Sequence, residues 1–134
     1  MKRGALRMNA VPAEWAGRVS GVMPSGRVLH VVGMNKLESR WSQELENERR
    51  AGDILCWRYN AMRLELATGA WFKCDFWVTL ADGKGTIRMD EVKGFWREAA
   101  RVRIKVAARL YPEFQFRAVQ WDGSAGWRVE EIEA

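Results

Sequence analysis

The chain has 134 residues, enough for one domain with its own apolar core, and its formal net charge is +5. The positive charge favours an anionic partner such as nucleic acid. Two cysteines and one histidine argue against zinc ligation of the usual type and suit a reducing compartment. Because no segment approaches about 18 apolar residues and no signal-peptide core opens the chain, we expect a cytoplasmic protein with no membrane partner.

Residues 1–27 are predicted to form a basic arm or extension, and residues 28–134 the folded domain. Prolines and glycines interrupt the first 33 residues, which makes long regular elements unexpected there. Residues 27–32 have the composition of a short strand. His30 lies in this segment and is interpreted as a packing residue rather than a catalytic base, because nothing near it in the sequence would orient it.

The first predicted helix covers residues 35–50. Asn35 and Glu38 have the spacing of a capping box at its start, and Gly52 follows its end. Apolar residues recur at every fourth position of the helix: Leu37, Trp41 and Leu45. Glu38 lies on the flank of this stripe, so two interpretations of its carboxylate stay open, a helix cap or a member of a metal site.

Two short strands follow, at residues 54–59 and 62–67, and the turn at Thr68–Gly69 leads into a longer hairpin. This hairpin takes residues 71–93 as two strands joined by a turn around Gly83. One face of its first strand is uninterruptedly apolar, and the other carries polar side chains among apolar ones. We expect the first helix to cover the face that carries the polar side chains.

Two acidic residues of this hairpin are predicted to face each other. Asp75 and Glu91 each lie eight residues from Gly83, so an antiparallel pairing centred there places their side chains opposite one another. Lys93 follows Glu91 by two residues and shares its face. Because like charges that face each other repel, a cation is needed between them, and a hard divalent metal ion is the natural candidate.

The second helix is predicted at residues 97–110 and is stopped by Pro112. Its apolar stripe is predicted to consist of Ala99, Val102, Val106 and Leu110. Basic residues recur every four positions on another face: Arg97, Arg101, Lys105 and Arg109. A solvated surface and a phosphate-contacting surface both remain open for this face. Strands at residues 114–120 and 127–132 complete an α/β fold in which helices flank a mixed β-sheet.

The PD-(D/E)XK nuclease superfamily has a sequence pattern of a carboxylate, a gap and then Glu-x-Lys. This chain resembles that pattern at Lys73-Cys74-Asp75 and Glu91-Val92-Lys93. More specifically, the chain resembles a family of small phage-encoded proteins, long catalogued as a domain of unknown function and related to Holliday-junction resolvases. The resemblance covers about residues 28–132. Its segments are residues 35–40, 74–76, 91–96 and 102–112. Cys74 departs from the pattern, because it stands where the superfamily has proline.

This resemblance implies a restriction-endonuclease-like core and a metal-dependent active site. Asp75 and Glu91 would bind Mg²⁺, or Mn²⁺ as a substitute, with the backbone carbonyl of Val92 as a further oxygen ligand. Glu38 would complete the ligand set or hold a water molecule. Lys93 would orient or help deprotonate the attacking water and stabilise the charged transition state.

The implied activity is a Mg²⁺-dependent DNA endonuclease, structure-selective for branched or Holliday-junction DNA, homodimeric, and cytoplasmic in a bacterial host. DNA phosphates would be contacted by Lys73, Arg97, Arg101 and Lys105. A non-specific or single-strand nuclease and a non-catalytic DNA-binding protein on the same fold are the alternatives. A third possibility, a protein-binding adaptor, is supported only by the eight tryptophans. The acidic residues and the lysine could also form an ordinary surface ion-pair cluster with no catalytic function.

Overall fold

Residues 33–133 are described by the computed structural model, in which one α-helix, five strands, a second α-helix and two further strands follow one another. The predicted basic arm, the strand at residues 27–32 and His30 lie outside this part of the chain. The helices and strands are α1 (Lys36–Ala51), β1 (Ile54–Tyr59), β2 (Arg63–Ala67), β3 (Ala70–Lys73), β4 (Phe76–Leu80), β5 (Ile87–Lys93), α2 (Glu98–Leu110), β6 (Phe114–Trp121) and β7 (Trp127–Ile132).

The main sheet has five strands in the order β1-β4-β5-β6-β7. Only β5 and β6 pair in parallel, and α2 makes the crossover that this pairing requires. The remaining pairs are antiparallel. Strands β2 and β3 form a separate two-stranded sheet. The predicted α/β class, with a mixed sheet and flanking helices, is confirmed.

Helix α1 begins and ends where its sequence predicts. The Asn35 side chain accepts a hydrogen bond from the Glu38 backbone N–H, and the Glu38 side chain accepts one from the Asn35 N–H, which completes the capping box. Gly52 closes the helix in the left-handed conformation at φ 87°, which a residue without Cβ adopts at little cost.

The predicted single strand over residues 71–80 is wrong, because it is two strands in two different sheets. Strand β3 pairs with β2, whereas β4 joins the main sheet between β1 and β5. The break falls at Cys74 and Asp75, whose backbone groups bond to the preceding loop: the Cys74 N–H donates to Met62 O and the Asp75 carbonyl accepts from Asn60 N–H. Alternation of side chains continues through such a break, so the sequence pattern does not reveal it.

Each face of the main sheet carries its own apolar core. Helix α1 packs Trp41 and Leu45 on the face of Phe76 and Val78. The opposite face, which holds Met89, is covered by α2 and the β2–β3 hairpin. The expected cover of this second face by α1 is therefore wrong. Phe76 and Val78 of β4 are apolar on the face that α1 covers, and Trp41 and Leu45 bury apolar area against them at about 25 cal/mol per Å².

The predicted apolar stripe of α2 is also wrong. Val102 is 52% exposed and Leu110 48%, whereas the buried positions are Ile104, Ala107 and Ala108. Helix α2 carries two apolar stripes of the same period, so periodicity alone could not choose between them. The stripe with two small residues faces the sheet, where alanines let the helix backbone approach closely. The other stripe is left at the surface.

Candidate functional site

Asp75 and Glu91 lie side by side where β3 gives way to β4. The ladder between β4 and β5 ends with Phe76 opposite Asp90, and one further step brings Asp75 opposite Glu91, as predicted. Reciprocal hydrogen bonds fix the pair: Asp75 Oδ2 accepts from the backbone N–H of Val92 at 2.8 Å, and Glu91 Oε1 accepts from the backbone N–H of Asp75 at 3.0 Å. Each carboxylate is thus oriented by a backbone N–H of the opposite segment.

Glu38 reaches the same place from the first turn of α1 and is buried. Its Oε1 accepts from the N–H of Asn35 at 3.0 Å and from the hydroxyl of Tyr59 at 2.8 Å. The Glu38 carboxyl also acts on Asp75, as a nearby negative charge and as a hydrogen-bond partner. The interpretation of Glu38 as a helix cap is therefore confirmed, and the same carboxyl borders the acidic pair. Its membership of a metal site stays a prediction.

Tyr59 is a site residue that the sequence reasoning missed. It ends β1, and its hydroxyl donates to Glu38 Oε1, with Gly33 O as a further acceptor within 3.1 Å. Burial, followed by the hydrogen bond to Glu38, raises its pKa above the usual value of a phenol. A tyrosine at the end of a predicted strand carries no sequence signal for this contact, which depends on how α1 crosses β1.

The acidic cluster is short of positive charge. Burial, followed by the negative charge of Glu91, raises the pKa of Asp75 to about 9, although the Val92 N–H opposes the shift. Burial also raises the pKa of Glu91, against the opposing effect of Lys93. Metal-free protein near pH 7 would therefore keep a proton on Asp75, and a bound cation would replace that proton.

Lys93 joins the cluster from the end of β5. Its Nζ lies 3.4 Å from Glu91 Oε2 and 5.7 Å from the centre of the Trp96 ring, and about a third of the side chain is exposed. The ammonium group thus connects the buried carboxylates with the solvent-facing side of the site. The sequence-predicted set Glu38, Asp75, Glu91 and Lys93 is brought together in space.

A metal ion would find suitable donors here but not a finished site. Among the residues that the structure describes, no group of three or more His, Cys, Asp or Glu side chains has the arrangement of a metal site. One oxygen of each of Glu38, Asp75 and Glu91 accepts a hydrogen bond from a backbone N–H. The oxygen donors and raised pKa values suit Mg²⁺, whose binding would exchange some of these bonds for metal contacts. The Val92 carbonyl as a ligand stays a prediction.

The predicted phosphate-contacting residues divide into two groups. Lys73 and Arg97 line a groove of about 460 Å³ beside Glu91 and Lys93. Arg101 instead forms an ion pair with Glu130 at 2.7 Å, and neither it nor Lys105 is among the groove's lining residues. Arg103, which sequence reasoning did not select, does line the groove.

A second polar cluster lies on the opposite face of β5, under α1. Asp90 is fully buried and accepts two hydrogen bonds from Arg88, at 2.8 and 2.9 Å, and one from the indole N–H of Trp41 at 3.1 Å. Glu48 of α1 also contacts Arg88 at 3.3 Å. This network ties α1 to the strand that carries Glu91, one residue away on the other face.

Comparisons of the chain with protein-family models, with curated proteins and with solved structures found no match. The resemblance to the PD-(D/E)XK nucleases therefore rests on the sequence pattern and stays a prediction. Within residues 33–133, no helix combines the length and the apolar character needed to cross a membrane.

Proposed function

We propose that the chain is a metal-dependent DNA endonuclease that hydrolyses phosphodiester bonds at Asp75, Glu91 and Lys93. The observation that carries the proposal is the convergence of the buried carboxyl groups of Glu38 and Glu91, the half-buried carboxyl group of Asp75 and one lysine at the edge of a basic groove. An ordinary surface ion-pair cluster would not bury carboxyl groups with raised pKa values beside one another.

Each residue has a defined task in this proposal. Asp75, Glu91 and Glu38 would hold Mg²⁺, which when bound supplies positive charge at the phosphate and lowers the pKa of water. Tyr59 holds the Glu38 carboxyl in place through its hydroxyl. Lys93 is close enough to Glu91 to be oriented by it and exposed enough to meet a phosphate oxygen or the attacking water.

Branched DNA and a homodimeric enzyme belong to the proposal through the sequence resemblance alone. The groove cations support nucleic acid in general, because phosphate contacts position a substrate without reading its sequence. Two alternatives remain to be tested. The choice of DNA substrate distinguishes a single-strand or non-specific nuclease from a branched-DNA nuclease. Metal-dependent cleavage distinguishes either nuclease from a DNA-binding protein without catalysis.

The test compares cleavage of a labelled four-way junction, a linear duplex and a single strand in Mg²⁺, in Mn²⁺ and in EDTA. Metal-dependent cuts near the branch point are expected, with the junction preferred. Lys93→Ala should lower the cleavage rate by about 100-fold or more while Mg²⁺ binding persists, since one charge-stabilising donor is lost. Lys84→Ala, which removes an exposed lysine of the β4–β5 turn, is the matched control.

Three results would count against the proposal or a part of it. Binding of DNA without cleavage in either metal would indicate a non-catalytic DNA-binding protein. Wild-type cleavage by Lys93→Ala would remove that residue from the mechanism. A monomeric mass in light scattering at working concentration would contradict the homodimer while leaving the chemistry intact.

A further inference from the structure

The groove beside Glu91 and Lys93 is strongly basic. It lies between β3, the connection from β5 to α2 and the start of α2. Four cations line it: Lys73, Lys93, Arg97 and Arg103. Glu91 is the one carboxylate in this lining, and it is already paired with Lys93. The groove therefore favours an anionic ligand along its length.

Two large aromatic side chains open to solvent in the same groove. Phe95 is 70% exposed and Trp71 40% exposed. Leaving such rings in water forgoes about 25 cal/mol for every Å² that could be buried, so their place among cations indicates a ligand surface. The position of Trp71 is held by Arg63, whose guanidinium lies 4.8 Å from the ring centre, and by Arg103, which donates to the Trp71 carbonyl at 3.0 Å.

A nucleotide has a base, which can stack on an exposed ring, and a phosphate, which can contact a cation. A duplex does not offer both of these parts to a protein together. A duplex presents its phosphates, but its base faces are stacked on one another and cannot meet a protein ring. A single-stranded or branch-point nucleotide presents both, and base–aromatic stacking with phosphate contacts is the usual mode of single-strand binding. An apolar protein segment would cover the rings but leave the net positive charge of the groove without an anionic counterpart.

We propose that this groove binds an unstacked nucleotide of the DNA substrate, with its base on Phe95 or Trp71 and its phosphates on the groove cations. The inference rests on the proposed nuclease function, whose reacting phosphate would lie at Glu91 and Lys93. It sharpens the substrate class to DNA that carries an unpaired or readily unstacked base next to the site of cleavage.

The test separates base stacking from phosphate contact. Two labelled strands of about 12 nucleotides are compared by fluorescence anisotropy in EDTA, so that neither is cut. One is oligothymidine, and the other is an abasic strand with the same number of phosphates. The full chain should bind oligothymidine about tenfold or more tightly than the abasic strand.

The variants assign that preference to the rings. Phe95→Ala and Trp71→Ala should each reduce the preference for oligothymidine several-fold while changing abasic-strand affinity little, and Phe95→Trp should retain it. Val102→Ala is the matched control, because Val102 is an exposed apolar residue outside the groove lining, with an exposed fraction between those of Trp71 and Phe95. Circular dichroism checks that each variant is folded, which the exposure of these side chains leads us to expect.

The outcomes distinguish this inference from the proposed function. Equal affinity of the wild type for both strands, with metal-dependent cleavage intact, would overturn the inference alone. Absence of binding and of cleavage would overturn both. If Phe95→Ala abolishes self-association of the protein and leaves the oligothymidine preference unchanged, the ring belongs to a protein interface and the inference fails.

Discussion

The surroundings of the Asp75 carboxyl disfavour its charged form in the metal-free protein. Its carboxyl is largely removed from water, next to Glu91 and Glu38, and the Val92 N–H, which favours its charged form, does not offset them. The result is a pKa of about 9, against about 3.9 for an unfolded aspartate. Burial without a counter-charge is costly for stability, and residues of this kind cluster at functional sites.

Asp75 should make the metal-free protein less stable as the pH rises. Between about pH 4 and pH 9 the folded state keeps a proton that the unfolded chain releases, so the free energy of unfolding falls across this window. Below about pH 4 both states hold the proton and the penalty is absent. Asp75→Asn should reduce the slope, leaving the part that Glu91 contributes with the same sign.

Thermal unfolding in EDTA across this pH range measures the effect. Mg²⁺ added at about pH 8 should raise the melting temperature of the wild type more than that of Asp75→Asn, because the cation replaces the missing counter-charge. Glu113→Gln, which changes an exposed carboxylate on the α2–β6 connection, controls for the loss of a charge. Identical pH profiles for the wild type and Asp75→Asn would contradict the argument.

At the scale of elements, local sequence signals predicted helix ends and strand register well. Features that depend on long-range packing were not predicted. The capping residues of α1 fixed both of its ends, and the spacing around Gly83 gave the register that sets Asp75 beside Glu91. The break at Cys74 escaped prediction, because side-chain alternation is the same in one strand as in two successive strands. Which stripe of α2 faces the sheet depends on close packing of alanines, which no periodicity reports.

The site shows the same division. Glu38, Asp75, Glu91 and Lys93 follow from motif spacing, whereas Tyr59 and the groove-lining Arg103 follow only from the crossing of elements distant in sequence. The buried Asp90 resembles a surface residue in the sequence, because it stands in an alternating strand beside Arg88. Its burial is settled by α1, which supplies Trp41 and Glu48 from forty or more residues away.

Adjacent acidic residues on β5 should have opposite mutant phenotypes. Asp90→Asn weakens the ionic contact of a buried Arg88, and breaking such a pair typically costs about 3–5 kcal/mol of unfolding free energy. Glu91→Gln should leave stability nearly unchanged or raise it, because a carboxylate among carboxylates is removed, yet it should abolish cleavage. Urea unfolding and a cleavage assay on both variants give the comparison, and strong destabilisation by Glu91→Gln would contradict the assignment of Glu91 to function rather than folding.

At the scale of the whole molecule, the basic residues of the described part of the chain, residues 33–133, include four that line the groove beside Glu91. Lys73, Lys93, Arg97 and Arg103 share one groove, whereas Arg101 is paired with Glu130 across the α2–β7 boundary. A surface ion pair of this kind contributes only about 0–1 kcal/mol. The ion pair does, however, neutralise the positive charge that Arg101 could offer to a phosphate. Arg101 therefore differs from the groove cations, although the sequence does not distinguish them.

Salt dependence of DNA binding should identify the groove as the phosphate-contacting surface. Each phosphate contact adds about 0.7–0.9 to the magnitude of the slope of log K against log salt concentration, because bound counterions are released. Replacing both Lys73 and Arg97 by alanine should therefore lower this magnitude by about 1.4–1.8, and Arg101→Ala should change it much less. The measurement is anisotropy over a series of salt concentrations in EDTA, with Lys84→Ala as the control for net charge. Equal slopes for the wild type and the double variant would move the DNA path away from the groove, and a large effect of Arg101→Ala would move it onto α2, where Lys105 also lies.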